Sequence, residues 1–334
     1  MTPALSEFGL RLSGALDPRI CVELARAAEK AGLVSVWFAE NPFQRGVLVT
    51  AGASAAVTER VRIGVGVVNP FTRHPVQIAM DFAALDELSG GRAVLGIGSG
   101  IAPPIARIGA ANDRPVAAVQ EAIDIVRRLM TGESVTISGR VFSLDGARLD
   151  FRHRGKLPIY MAAGSDRALR ICGQIADGFV ISNMTPPRLA ARMIETVAEA
   201  AAKAGRPRPR VVQYVPCVVS ADGGEARQVV KRVIGETLTL LWPAGDKWPQ
   251  RREAVVAESG IPRPQFAAAL ARLRRGDEAV SVLDERFVAA FAIAGTPAEC
   301  REQPPLYRAA GVDELALSIS SAEQIALLGN QGGK

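Results

Sequence analysis

The chain has 334 residues, 48% of them hydrophobic and 22% charged, with a formal net charge of +6; that is ample material for a core and excludes a disordered or low-complexity chain. No run approaches a membrane span, and the first residues lack the basic-then-apolar pattern of a secretory leader, so a soluble cytoplasmic protein is expected. Two histidines and four scattered cysteines exclude a His-rich zinc centre and any CxxC site, and arginines scattered without interleaved aromatics argue against nucleic acid.

The elements follow a regular alternation. Phe8–Leu12 reads as a short apolar strand, and Asp17-Pro18 supplies an N-cap and a first-turn proline for a helix that runs to Ala31 and stops at Gly32. Val34–Phe38 is strand two, Arg45–Val57 a helix, Ile63–Val67 strand three, Val76–Leu88 a helix and Ala93–Ile97 strand four. Pro115–Met130 carries Ala118, Ala122, Ile125 and Leu129 on or near one stripe, as an amphipathic helix does. Val135–Leu144 and Arg148–Phe151 read as a small hairpin interrupting the pattern.

Ile159–Ala163 is strand five, Ala168–Ile175 a helix, Phe179–Ile181 strand six, Pro186–Ala204 a helix and Val211–Val219 strand seven. From about 225 to 292 the sequence is helical but broken by Trp242-Pro243, Trp248-Pro249 and Pro262-Arg263-Pro264, which reads as an insertion whose tryptophans form a lid, a substrate wall or simply its own small core. Thr296–Ala310 restores a helix, Glu314–Leu317 is strand eight and Ser321–Leu328 closes the chain. Three helix-to-strand junctions share a glycine, at Gly32, Gly178 and Gly311, each read as a left-handed helix stop. Eight strands separated by helices over one domain, 1–334, predict a (β/α)8 TIM barrel with insertions. The competing open doubly wound sheet would carry GxGxxG between strand one and its helix, and Leu10–Pro18 contains none.

In such a barrel the chemistry gathers at the carboxyl ends of the strands. There the sequence offers Arg11 and Ser13; Glu40 and Asn41; Asn69, Thr72, Arg73 and His74; Gly98, Ser99 and Gly100; Gly164, Ser165 and Asp166; then Ser182 and Asn183. Glu40 suits an acid, a cofactor-orienting group or a charge at a helix start. His74 suits a cap or a base, while His153, flanked by Arg152 and Arg154, reads as a surface loop residue. Gly164-Ser165-Asp166 places a hydroxyl at a helix start directly after a strand, the arrangement of a phosphate site and equally of plain capping. The clusters Arg206–Arg210 and Arg272–Arg275 read as solvated faces.

Taken in order, Trp37-Phe38-Ala39-Glu40-Asn41, Arg62-Ile63-Gly64-Val65-Gly66-Val67-Val68-Asn69 with Thr72-Arg73-His74-Pro75, Ser89-Gly90-Gly91-Arg92 with Gly96-Ile97-Gly98-Ser99-Gly100, and Pro158-Ile159-Tyr160-Met161-Ala162-Ala163-Gly164 through Ala176-Asp177-Gly178 resemble the luciferase-like flavin and deazaflavin oxidoreductases. The branch containing methylenetetrahydromethanopterin reductase is the nearest in pattern. The resemblance implies FMN or coenzyme F420 held over the carboxyl end of the barrel, with a non-prolyl cis peptide at Gly66–Val67. It maps ring and tail contacts onto Asn69, Gly98 and Ser99 and the phosphate onto Gly164 and Ser165; the candidate catalytic residues are Glu40, His74 and Arg11. Arg11 stands where that branch usually has a glutamate, and Glu40-Asn41 where it has an Asp-His pair.

The implied activity is hydride transfer between the ring and a small organic substrate by a homodimer or higher homo-oligomer. The alternatives are a two-component FMNH2-dependent monooxygenase served by a partner flavin reductase, and a non-catalytic flavin-binding barrel.

Overall fold

Apolar side chains alternate with small or polar ones along the strands, so each strand presents one face to the helices and the other to an enclosed interior. The computed structural model describes residues 7–100, 102–110, 113–245 and 248–329. In chain order the elements are β1 (Phe8–Ser13), α1 (Pro18–Ala31), β2 (Ser35–Ala39), α2 (Val47–Ala56), β3 (Arg62–Val68), α3 (Pro75–Ser89), β4 (Ala93–Ile97), α4 (Ala102–Arg107) and α5 (Pro115–Met130). Then come the hairpin β5 (Val135–Ser138) and β6 (Ser143–Ala147), β7 (Ile159–Ala162), α6 (Asp166–Ile175), β8 (Gly178–Ile181), α7 (Pro187–Lys203) and β9 (Arg210–Val219). The helices α8 (Gly223–Leu241), α9 (Gln250–Glu258), α10 (Arg263–Arg274), α11 (Ala279–Val282) and α12 (Glu285–Phe291) lead to β10 (Ile293–Gly295), α13 (Pro297–Arg301), α14 (Pro304–Ala309), β11 (Glu314–Ser318) and α15 (Ala322–Gly329).

Strands β11, β1, β2, β3, β4, β7, β8 and β9 pair in that order, and β9 pairs back to β11, closing an eight-stranded parallel (β/α)8 barrel. The short β10 adds to the far half of β9, with Ile293 opposite Cys217. Phe8, Leu10 and Leu12 pack outward in the main core, while Trp37, Val94, Tyr160, Val180, Val212, Tyr214 and Ala316 form a second core inside the barrel. The indole of Trp37 needs room: a β-carbon on Gly64 would stand 2.4 Å from its ring.

The amino end of the barrel is closed by Glu314, whose side chain is fully buried. It accepts hydrogen bonds from Ser35 and Arg62, from Trp37 Nε1 at 2.9 Å and from Arg210 Nη2 at 3.3 Å. Two guanidiniums and two neutral donors thus compensate one buried carboxylate, the condition under which such a charge is tolerated. The same end takes up Arg206 and Arg208, which pair with Asp177 and Asp313 at 3.3 and 2.6 Å. The arginines of the Arg206–Arg210 stretch are therefore ion-paired on a face that still meets solvent.

Other local expectations change as well. Residues 139–142 form the hairpin turn rather than strand, because the Glu121 carboxylate accepts from the amides of Arg140, Val141 and Phe142 at 2.8, 3.0 and 3.0 Å. The helix expected over Thr296–Ala310 divides into α13 and α14, since Pro304 and Pro305 cannot donate to a continuing ladder. Gly32 and Gly311 have φ of 86° and 93°. Gly178 instead begins β8, and it is glycine because a β-carbon there would lie 2.4 Å from the Tyr160 ring. His153 is buried, not a surface residue: its Nε2 lies 3.3 Å from Asp86 Oδ2. All four cysteines are buried free thiols, and no helix among the described residues is long and apolar enough to cross a membrane.

Candidate active site at the carboxyl end of the barrel

Strand β3 sets the floor of the mouth. Its register against β4 shifts between Val65 and Val68, and the Gly66–Val67 peptide is cis, at the position the resemblance assigned. Gly66 abuts Tyr214, whose hydroxyl donates to the Gly66 carbonyl oxygen at 3.2 Å; a β-carbon on Gly66 would stand 2.4 Å from that hydroxyl. Gly98 lets the end of β4 lie against this bulge, since a β-carbon there would be 3.0 Å from Val67 Cγ2. Gly66, Val67 and Gly98 therefore form one contiguous surface.

Asn69 is buried just past β3 and ties two loops together. Its Nδ2 donates to the Ser99 carbonyl at 2.6 Å, and its Oδ1 accepts from the Phe71 amide at 2.7 Å. The backbone of Ser99 is thereby fixed, with its side chain partly exposed. Polar groups are presented here by a rigid scaffold, as a bound ring requires.

Glu40 leaves β2 beside this floor, 3.4 Å from Arg73, which also binds Asp81 at 2.8 Å. Burial raises the pKa of the Glu40 carboxyl above its ordinary value, and the pull of Arg73 only partly offsets it. A carboxyl held protonated to higher pH than usual is suited to giving up a proton in a reaction. His74 is placed otherwise: it is the N-cap of α3, its Nδ1 accepts from the Val76 amide at 3.3 Å, and its ring stands edge-on to Phe142 at 5.6 Å. The ring nitrogen facing the helix is engaged, so the geometry makes His74 a cap.

Arg11 projects inward from β1, between the outward-facing Leu10 and Leu12. Its Nη1 donates to Ser318 Oγ at 3.3 Å, and its guanidinium lies 5.3 Å from the centre of the Tyr214 ring.

The third group lies after β7. Ser165 caps α6, its Oγ accepting from the Ala168 amide at 3.3 Å. The first-turn amides of Asp166 and Arg167 have no acceptor within the helix, and the helix dipole favours an anion beside them. Sequence reasoning did not find the residue that completes this corner. Arg251, from α9, reaches across so closely that a β-carbon on Gly164 would stand 2.7 Å from its Nη1, and its Nη2 donates to Ser182 Oγ at 2.7 Å. Arg251 is exposed on one side, but desolvation by the protein around it lowers its pKa to about 10, with Arg252 adding a smaller push. A pocket of about 470 Å³ opens beside the same turn, with Arg114, Arg140 and Arg167 in its lining.

The remaining aromatics of the helical segment pack on one another. Trp242 and Trp248 lie 5.4 and 6.0 Å from Phe266, ring centre to ring centre, and form a small core there.

A family model described as luciferase-like monooxygenase matches residues 4–314. A 5,10-methylenetetrahydromethanopterin reductase of Archaeoglobus fulgidus is 31% identical over 87% of this chain and 86% of its own length. An F420-dependent glucose-6-phosphate dehydrogenase of Nakamurella multipartita is 32% identical over 76% of this chain and 77% of its own. Among solved structures, the coenzyme F420 dependent tetrahydromethanopterin reductase from Methanopyrus kandleri superposes with a TM-score of 0.84 over 98% of both chains at 23% identity.

Proposed function

The chain belongs to the luciferase-like monooxygenase family, and from that we propose that it is an oxidoreductase moving hydride between the ring of coenzyme F420 or FMN and a small organic substrate. F420 is the leading choice, because relatives that match most of the chain are named as F420-dependent enzymes. The observation that carries the reading is the pairing of two surfaces at one mouth. One is the fixed floor of Gly66, Val67, Asn69, Gly98 and Ser99, and the other is the cationic corner of Gly164, Ser165 and Arg251.

The residues fit such a cofactor. The corner offers amide donors, a helix dipole and a guanidinium for a phosphate, and the floor offers an ordered backbone for a planar ring. The bound cofactor supplies the hydride chemistry. The protein's share is positional: Asn69 holds the Ser99 loop, Tyr214 holds the Gly66 carbonyl, and the barrel wall keeps bulk water off the reacting face.

Glu40 delivers a proton to substrate when it is reduced and takes one when it is oxidised, with Arg73 setting its acidity. Arg11 lies on the substrate side, and His74 acts through the start of α3. The buried free thiols suit a reducing cytoplasm, and we place the protein there as a homo-oligomer.

Anaerobic incubation with reduced F420 and a panel of small carbonyl and enoyl acceptors tests the assignment. Acceptor-dependent recovery of the deazaflavin absorbance is expected. Oxygen consumption with supplied FMNH2, and no anaerobic turnover, would instead identify the monooxygenase.

A further inference from the structure

Most cations around the barrel have a carboxylate. Arg62 and Arg210 share Glu314, Arg73 has Glu40 and Asp81, and Arg127 and Arg206 share Asp177. Arg11 does not. Among the described residues its Nε is sealed from solvent without a hydrogen-bond partner, its Nη1 bonds the Ser318 hydroxyl, and its guanidinium lies over the face of Tyr214. Burial lowers its pKa, and Tyr214 offsets this only in part.

A desolvated guanidinium without a counter-charge costs folding free energy. Hydroxyl and ring contacts compensate only part of that cost. The residue is nonetheless only partly buried, which leaves an incoming anion a way to it.

The cationic corner for a phosphate lies elsewhere. In the closed order of strands, β1 and β7 are four apart, on opposite walls, with the β3 bulge between them. A cofactor whose phosphate rests at Gly164 and Arg251 leaves Arg11 to a different anion, across the floor. Tyr214 links the two, touching Arg11 through its ring and Gly66 through its hydroxyl.

We propose that Arg11 is the counter-ion for a carboxylate on the substrate, so that the enzyme acts on a small organic acid held with its reacting carbon over the Gly66–Val67 floor. The planar guanidinium matches a planar carboxylate, and Nη2, which is neither sealed nor hydrogen-bonded among the described residues, is the donor open to it. This inference rests on the reading of the mouth as a redox-cofactor site.

The test uses the full chain loaded with cofactor and propionate as probe, with propionamide as its neutral isostere, read by perturbation of the cofactor spectrum. Saturable binding of propionate but not propionamide is expected, weakened about tenfold or more in Arg11→Gln and less in Arg11→Lys. Arg11→Met, which keeps the stem packed over Tyr214, replaces Arg11→Gln if that variant does not fold. Equal binding of the two probes, or propionate binding unaffected by loss of the guanidinium, overturns the proposal. So does a shift of the cofactor's midpoint potential in the variant with propionate binding unchanged, which would assign the charge to the ring. If the wild type takes up neither cofactor, the cofactor reading falls, and Arg11 is judged on thermal melting of the cofactor-free chain. A propionate-dependent rise in Tm that vanishes without the guanidinium supports it, and an equal rise in both overturns it.

Discussion

Arg251 Nη2 donates to Ser182 Oγ at 2.7 Å, which holds a guanidinium from α9 over Gly164 at the entrance of the barrel. An arginine from a helix remote in sequence thus meets the amino end of α6, and in the proposed reading the two together hold the cofactor's phosphate. Arg251→Ala is expected to weaken cofactor binding by about tenfold. Ser165→Asp sets a negative charge against the same corner and should weaken it far more than Ser138→Asp in the hairpin. Fluorescence titration of the variants is the check, and equal affinities for the two aspartate variants would remove the phosphate from this corner.

Glu40→Gln should lower kcat by about a hundredfold while cofactor affinity stays within about twofold. The pH profile carries a sign. Burial raises the pKa of Glu40, so in the direction that reduces substrate the rate should hold past the ordinary carboxyl range and fall as pH rises through the raised value. Arg73 pulls that value down, so Arg73→Gln should move the falling limb to higher pH. A limb that stays in place in Arg73→Gln, or survives in Glu40→Gln, would assign the proton to another group.

Glu314→Gln leaves Arg62 and Arg210 facing each other at the closed end of the barrel without their carboxylate. A loss of about 3 to 5 kcal/mol in urea unfolding is expected. A loss below about 0.5 kcal/mol would mean that solvent screens these arginines.

Glu29 accepts from the amides of Glu59, Arg60 and Val61, with contacts of 3.0, 2.7 and 3.0 Å. Partial burial works to raise its pKa, but these amide bonds outweigh it and the folded value is lowered. Its contribution is therefore fully present above the unfolded carboxyl value and is lost as pH falls through the folded one. Glu29→Gln should cost about 1 to 3 kcal/mol at neutral pH and flatten the stability curve in the acid range. An unchanged acid limb would show that other carboxylates dominate it.

The barrel was legible because strand and helix periods differ and the strands are short apolar runs between clear stops. Asp17 and Pro18 start α1 as read, and the Asp17 carboxylate accepts from the Arg19 amide at 2.8 Å. Where reading went astray, a distant group decided the local structure. Glu121 turns the chain at Arg140–Phe142, Asp86 takes in His153, and the Tyr160 ring dictates Gly178. Residues that emerge from strand ends, such as Glu40, Asn69 and Ser165, could be named because strand direction alone puts them at the mouth. Arg251 could not, since the path of α9 over the barrel depends on the packing of Trp242, Trp248 and Phe266, and Arg251-Arg252 has no local mark of which guanidinium turns inward.

Titration of the purified chain with coenzyme F420 and, separately, with FMN tests the central claim most directly. The account predicts saturable one-to-one quenching of cofactor fluorescence by at least one of the two, weakened in Ser165→Asp. Absence of binding by both would contradict it.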